Sequence, residues 1–206
     1  MKNFRRPKLL LLAGVNGVGK TTLSMQIADF YKIKRVISTD SIREVLRSEI
    51  GPIESPELHR SSFSTGKHKH CISDWEDCAN VLKNGINAII NKSRREGVDL
   101  ILEGVHLKPN NEIIRKWEEE GGIAIGIILH VKNEESHKKM LIKREAHTWR
   151  NAERYLSSFS KIREIQEGIL DFGRPLNWKT IDLSTGFDSL KEIPHWFDLE
   201  WNRLFW

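Results

Sequence analysis

Lys8-Leu-Leu-Leu-Leu-Ala13-Gly14-Val-Asn-Gly17-Val-Gly19-Lys20-Thr21-Thr22-Leu23 passes from a continuous apolar run, through a glycine-rich turn, into a helical pattern carried by Leu23, Ile27, Phe30 and Tyr31. An apolar run of strand length with no alternation predicts a strand buried on both faces, as in a parallel sheet. The turn fits Gly14-x4-Gly19-Lys20-Thr21, the Walker A pattern, in full. Glycines there let main-chain N–H groups turn inward around phosphate oxygens, and the following helix presents its positive end to the same anion. Gly14, Asn16, Gly17, Val18, Gly19, Lys20, Thr21 and Thr22 are therefore the expected nucleotide-binding residues. Lys20 would bring a cation to the β/γ-phosphates, and the Thr21 hydroxyl is a natural Mg²⁺ ligand. ATP and Mg²⁺ are the expected cofactors.

Downstream, strands alternate with helices. Short or continuous apolar runs at Lys34–Ser38, Val98–Glu103, Ile123–Val131 and Trp178–Leu183 predict four further strands. Asp40 or Ser41 is positioned to cap a helix in which Ile42, Val45 and Leu46 share a face. Gly51–Gly66 has no period and reads as a loop of working length. Trp75, Cys78, Leu82, Ile86 and Ile89 mark a long amphipathic helix. Further helices are expected over Glu112–Glu120, stopped by Gly121-Gly122, over Glu134–Arg144, and through Leu156, Phe159, Ile162, Ile169 and Phe172. The Trp-rich tail, 187–206, reads as a terminal helix whose start Pro194 limits. This order predicts an α/β fold with a five-stranded parallel sheet and helices on both faces, in one domain over 1–206.

In such a sheet a ligand sits at the carboxyl ends of the strands. Asp40 follows the second strand and is a candidate to hold or deprotonate an acceptor hydroxyl. Glu103 ends the third strand and is a candidate for the magnesium shell; Asp99 lies at the wrong end of that strand. Arg144, Arg150 and Arg154 follow the fourth strand and its helix, and they are candidates to close over the γ-phosphate.

The 206 residues carry 33 Lys and Arg against 28 Asp and Glu, a net +5 that favours anionic partners. No run reaches five basic residues, so a nucleic-acid-binding tail is not indicated. Cys71 and Cys78 form neither a disulfide framework nor a zinc site, and His68, His70 and Cys71 lack a fourth ligand. No segment approaches the apolar length of a membrane span. A cytoplasmic protein without a membrane partner is expected; oligomeric state is not legible.

Ser38-Thr-Asp-Ser-Ile-Arg-Glu-Val-Leu46, Ser61-Ser-Phe63, Leu102-Glu-Gly-Val-His106 and Arg154-Tyr-Leu-Ser-Ser-Phe-Ser-Lys-Ile-Arg-Glu-Ile-Gln166 together resemble the 2-phosphoglycerate kinase family of P-loop kinases. The resemblance runs in order from Gly14 to about Gln166. It implies transfer of phosphate from ATP to a hydroxyl of a small phosphorylated acid, 2-phosphoglycerate giving 2,3-bisphosphoglycerate. It also implies a kinase fold with a mobile lid, here about 144–155. By that likeness Asp40 and Arg43 face the acceptor, Glu103 joins the magnesium shell, and Arg150 and Arg154 serve the lid. Lys67–Asp74 departs from the family pattern.

An acceptor bearing phosphate and carboxylate needs bidentate cations, and Arg43, Arg60 and Arg163 are the candidates beside Asp40. Two other readings use the same loop. A polynucleotide or nucleoside kinase would show a basic groove with base-stacking aromatics. A nucleotide-dependent switch or assembly ATPase would dock a partner on the Trp-rich tail.

Overall fold

The computed structural model describes residues 6–146, 152–186 and 188–206. Its centre is a five-stranded, all-parallel sheet of order β2-β3-β1-β4-β5. The strands are β1 (Lys8–Ala13), β2 (Val36–Ser38), β3 (Leu100–Gly104), β4 (Ile123–His130) and β5 (Lys179–Asp182). Leu9 to Leu12 of β1 are fully buried, as the unbroken apolar run requires of a central strand. The helices are α1 (Lys20–Tyr31), α2 (Thr39–Glu49), α3 (Pro56–His59), α4 (Cys71–Glu96), α5 (Asn111–Glu119), α6 (Glu134–Glu145), α7 (Glu153–Leu156), α8 (Phe159–Gly173) and α9 (Ser189–Phe205).

Stepping from β1 outward to β2 moves the chain one way along the sheet; every later step moves it the other way. Right-handed crossovers then place α1 on one face and α4, α5 and α8 on the other. The contacts agree. Tyr31 of α1 meets Phe197 of α9 edge-on at 5.5 Å, while Trp75 of α4 lies 5.9 Å from Phe172 of α8. Arg94 of α4 donates to the Lys116 carbonyl of α5.

Several expected details change. The second strand begins at Val36, not Lys34. Its helix is capped by Ser38, whose Oγ accepts from the Ser41 N–H at 3.0 Å; Asp40 lies inside the first turn with its carboxylate unspent on capping. Phe30 and Val45 face solvent, and Ile90 rather than Ile89 is the buried residue of α4. The 51–66 loop contains the short α3, begun by Pro56. Leu156 belongs to α7, separate from α8.

Pro194 is interior to α9 rather than at its start. The Asp188 side chain caps the helix six residues earlier, and buried Ile193 and Phe197 clamp it on both sides of the proline. Trp196 is partly buried against the core, Trp201 is 39% exposed and Trp206 nearly free, so only part of the Trp-rich tail is core. Among the described residues no helix is long and apolar enough to cross a membrane.

Candidate active site

The carboxyl ends of β1, β2 and β3 bring three segments together, because Leu12 pairs with Glu103 and Ser38 pairs with the same Glu103 from the other side. The loop after β1, the start of α2 and the end of β3 are thus neighbours by register alone.

The 14–19 loop is shaped to surround an anion. Gly17 has φ +82°, and a Cβ there would stand 2.6 Å from the Leu141 side chain of α6. Only glycine meets both demands. The helices α2, α4, α5, α6 and α9 each engage an N-terminal N–H with a side-chain cap, whereas α1, like α3, α7 and α8, has none; its N-cap is Gly19, and no acid lies in its first turn. Its N–H groups and positive dipole end are left for a ligand. The back of the loop is braced by buried His137, whose Nε2 lies 2.8 Å from the Asn16 carbonyl.

Lys20 Nζ donates to the Val15 carbonyl at 2.8 Å, folded back over the loop it would share with phosphate. Burial pushes its ammonium below the ordinary lysine value, while Glu103 and Asp40 pull it back up. A negative ligand would add to that upward pull. Thr21 Oγ1 donates to buried Glu103 Oε1 at 2.9 Å. These are hard oxygen donors of the kind Mg²⁺ takes. Among the described residues no group of three His, Cys, Asp or Glu could hold a metal by itself. A cation at Thr21 and Glu103 would therefore complete its shell with phosphate oxygens and water.

Beside the loop opens a cleft of about 470 Å³, its walls including Asn16, Asp40, Arg43, Arg47, Arg144 and Arg154. Asp40 is the acid on the wall toward β3, where His106 Nδ1 lies 3.6 Å from its Oδ1 and 3.2 Å from Thr39 Oγ1. This approach needs Gly104, since a Cβ there would fall on the Thr39 side chain. Burial holds the His106 imidazole down at about 4, against the opposing pull of Asp40, so the ring is neutral near pH 7.

No protein-family model matches the chain. A curated 2-phosphoglycerate kinase from Pyrococcus horikoshii is 33% identical over 191 residues, 88% of this chain and 62% of that protein. One from Methanocaldococcus jannaschii is 34% identical over 174 residues, 81% of this chain and 55% of that protein. The chain thus spans roughly six-tenths of the length of the relatives it matches. Among solved structures, shikimate kinase from Acinetobacter baumannii superposes with a TM-score of 0.52 over 98% of this chain and 97% of its own, at 14% identity. The chain is a P-loop kinase-fold relative of the 2-phosphoglycerate kinases.

Against that family expectation the arginines divide. Arg154 reaches the cleft on α7, where it donates to Ser61 Oγ and lies over the rings of Phe63 and Tyr155 at 5.6 and 5.8 Å. Arg144 joins it from the end of α6. Arg150 lies outside the described residues. Arg43 lines the cleft, but its guanidinium is spent on the Leu58 and Arg60 carbonyls. Arg60 and Arg163 are not on the cleft wall. Arg60 serves the Asp74 and Ser64 carbonyls, and Arg163 those of Val131 and Lys132. The cleft instead presents Arg47, paired with Glu44 at 2.8 Å, a cation the sequence reading passed over. Arg47 stands one helical turn beyond Arg43, and that spacing was the available signal.

Lys67–Asp74, the segment expected to depart from the 2-phosphoglycerate kinase pattern, has a structural task. Buried Asp74 accepts from the N–H groups of Gly66 and His68 at 2.7 and 3.0 Å and faces Arg60 at 3.6 Å. His70 caps α4, and His68 lies 3.1 Å from Asp77. Cys71 and Cys78 are free thiols, and burial raises both, Cys71 to about 11.

Proposed function

We propose that the chain is an ATP-dependent kinase that transfers the γ-phosphoryl group to a hydroxyl of a small phosphorylated acid, 2-phosphoglycerate being the first candidate. The reading rests on one observation: an uncapped P-loop helix, Lys20, the Thr21–Glu103 pair and Asp40 converge at one end of an arginine-bearing cleft. Identity to 2-phosphoglycerate kinases over four-fifths of the chain or more supports the acceptor class.

The loop N–H groups and Lys20 hold the β/γ-phosphates. Mg²⁺, held at Thr21 and Glu103, would neutralise charge on the transferring oxygens. Lys20 exchanges the Val15 carbonyl for phosphate oxygen as the nucleotide enters. Asp40 accepts a hydrogen bond from the acceptor hydroxyl and aims it along the line of transfer; in a loose transition state this alignment matters more than early removal of the proton. Arg144 and Arg154 cover the γ-phosphoryl group as its charge spreads and help to keep water out; the middle of the expected 144–155 lid, residues 147–151, lies outside the described residues. Arg47, half-buried on the cleft wall beside Glu44, is the cation for the acceptor's own anionic groups.

A nucleoside acceptor fits less well. Phe63 and Tyr155, the rings of the cleft wall, are buried against each other at 5.6 Å and covered by Arg154, so neither offers a free face for a base.

The deciding experiment is an ATP-consumption assay across 2-phosphoglycerate, other phosphorylated acids, nucleosides and 5′-hydroxyl oligonucleotides. Turnover stimulated by a phosphorylated acid supports the reading. Stimulation by nucleosides or oligonucleotides alone, or acceptor-independent hydrolysis, defeats it.

A further inference from the structure

Two residues of α6 press on the back of the phosphate loop. His137 is wholly buried, and its Nε2 lies 2.8 Å from the Asn16 carbonyl, 121 residues away in the chain. A carbonyl only accepts, so that nitrogen carries the proton. Burial pushes the imidazole below the ordinary histidine value, so near pH 7 the ring is neutral and Nδ1 is its unprotonated nitrogen. Nδ1 has no partner among the described residues, so no second bond competes for the ring's setting. Packing fixes that setting. Phe159 of α8 meets the ring edge-on at 5.4 Å, and Leu141, one turn along α6, fills the space beside Gly17.

The bond matters for the other half of the same peptide. No peptide among the described residues is cis, and in a planar trans peptide the C=O and the following N–H point opposite ways. An Asn16 carbonyl turned back toward α6 therefore turns the Gly17 N–H forward, into the loop. That N–H donates to no other group among the described residues. Gly17, at φ +82°, has no Cβ to hold the peptide in one orientation. Rotated over, the same peptide would aim the Asn16 oxygen at the phosphates and repel them. The glycine that lets the loop form thus leaves the sense of this peptide open, and the choice falls to a group outside the loop.

We propose that His137 is a positioning residue for ATP: its Nε2–H holds the Asn16 carbonyl outward, so that the Gly17 N–H is aimed at a phosphate oxygen of the nucleotide. The assignment rests on the kinase reading of the P-loop and adds to it a residue that touches no substrate. Its effect is on holding the triphosphate tail, in the ground state and the transition state alike. It should therefore show in the KM for ATP and not in kcat.

The test compares His137→Leu, which fills the space without a donor, with His137→Gln, whose side-chain amide reaches the place of Nε2 and donates to the carbonyl. In the full chain the dissociation constant for MgATP, by calorimetry without acceptor, should rise about tenfold or more in His137→Leu, the scale of one hydrogen bond to a charged group. The KM for ATP should rise with it, while kcat at saturating ATP stays within about threefold of the parent. His137→Gln should keep all three constants within about threefold. Unchanged MgATP affinity in His137→Leu overturns the proposal. So does an equal loss in both variants, which would make the bulk of the ring, not its donor, the cause. Histidine ¹⁵N NMR of the parent needs no variant to fold: His137 should be the neutral ring protonated on Nε2, and a proton on Nδ1 instead overturns the assignment. Lys20→Ala separates this role from the kinase reading. If that variant binds MgATP as tightly as the parent, the P-loop reading falls and this role with it. If it loses affinity while His137→Leu does not, the P-loop stands and only the role of His137 falls.

Discussion

Thr21 Oγ1 and Glu103 Oε1, 82 residues apart in the chain, are joined by a 2.9 Å hydrogen bond that ties the first turn of α1 to the carboxyl end of β3. The bond exists because β1 and β3 are in register at Leu12 and Glu103. It brings together two hard oxygen donors of the kind that would hold Mg²⁺ beside the P-loop. Glu103→Gln keeps the shape and removes the charge. The expected outcome is a Mg²⁺ requirement shifted at least tenfold upward and a kcat lowered about 10²-fold. A magnesium titration of ATP turnover checks it, and an unchanged titration curve removes Glu103 from the metal shell.

Lys20 gives a sharper expectation because its resting partner is a main-chain carbonyl. Lys20→Ala leaves Val15 accepting water instead, so thermal stability should stay close to that of the parent. Transfer should fall by 10²-fold or more, the scale on which one preorganised donor to transition-state charge acts. Wild-type turnover in this variant would place the phosphates elsewhere.

Asp40→Asn separates alignment from nucleotide binding. The side chain lies in the cleft wall, outside the 14–19 loop. The expected loss is about 10²–10⁴ in kcat, with ATP affinity changed less than threefold. Single-turnover transfer measured beside equilibrium ATP binding checks it; collapsed affinity with normal transfer would reverse the assignment.

Arg154 is expected to act late. It rests on Ser61 and the Phe63–Tyr155 rings, so nucleotide binding in the ground state does not require it. Arg154→Lys keeps charge but loses the planar fork, and it should lower kcat about 10-fold or more with little change in the KM for ATP. A raised KM at unchanged kcat would make Arg154 a ground-state binder.

Much of this was readable before the structure because it is local. The β1–loop–α1 unit is fixed by a run of leucines, glycines at set spacing and a lysine, and strand order then places Asp40 and Glu103 at the same end. The arginines were not readable in the same way. Whether a guanidinium faces a ligand or a carbonyl depends on chain brought near from elsewhere, and the loop 58–64 that captures Arg43 and Arg60 has no periodic signal. The meeting of His106 with Thr39 and Asp40 depends on the β2–β3 register, and the capping role of Ser38 on a turn geometry shared by every nearby serine. Pro194 misled for the opposite reason: a strong local rule yielded to packing on both sides of it.

The Lys67–Asp74 segment yields a prediction about stability with acid. Burial alone would raise the Asp74 carboxyl, but the N–H groups of Gly66 and His68, together with Arg60, outweigh it and hold the group below the ordinary aspartate value. A carboxyl depressed on folding contributes stability that is complete above its unfolded value, near 3.9, and is lost as pH falls through the lower folded one. Urea midpoints measured from pH 6 down to pH 3 should therefore decline for the parent more steeply below pH 4 than for Asp74→Asn. Near pH 6 the variant should already be weaker by roughly 3 kcal/mol, because Arg60 is left facing a neutral amide in a largely buried setting. Parallel midpoint curves for the two proteins would show that Asp74 carries no folding-linked charge, and the 66–74 loop would then need another anchor.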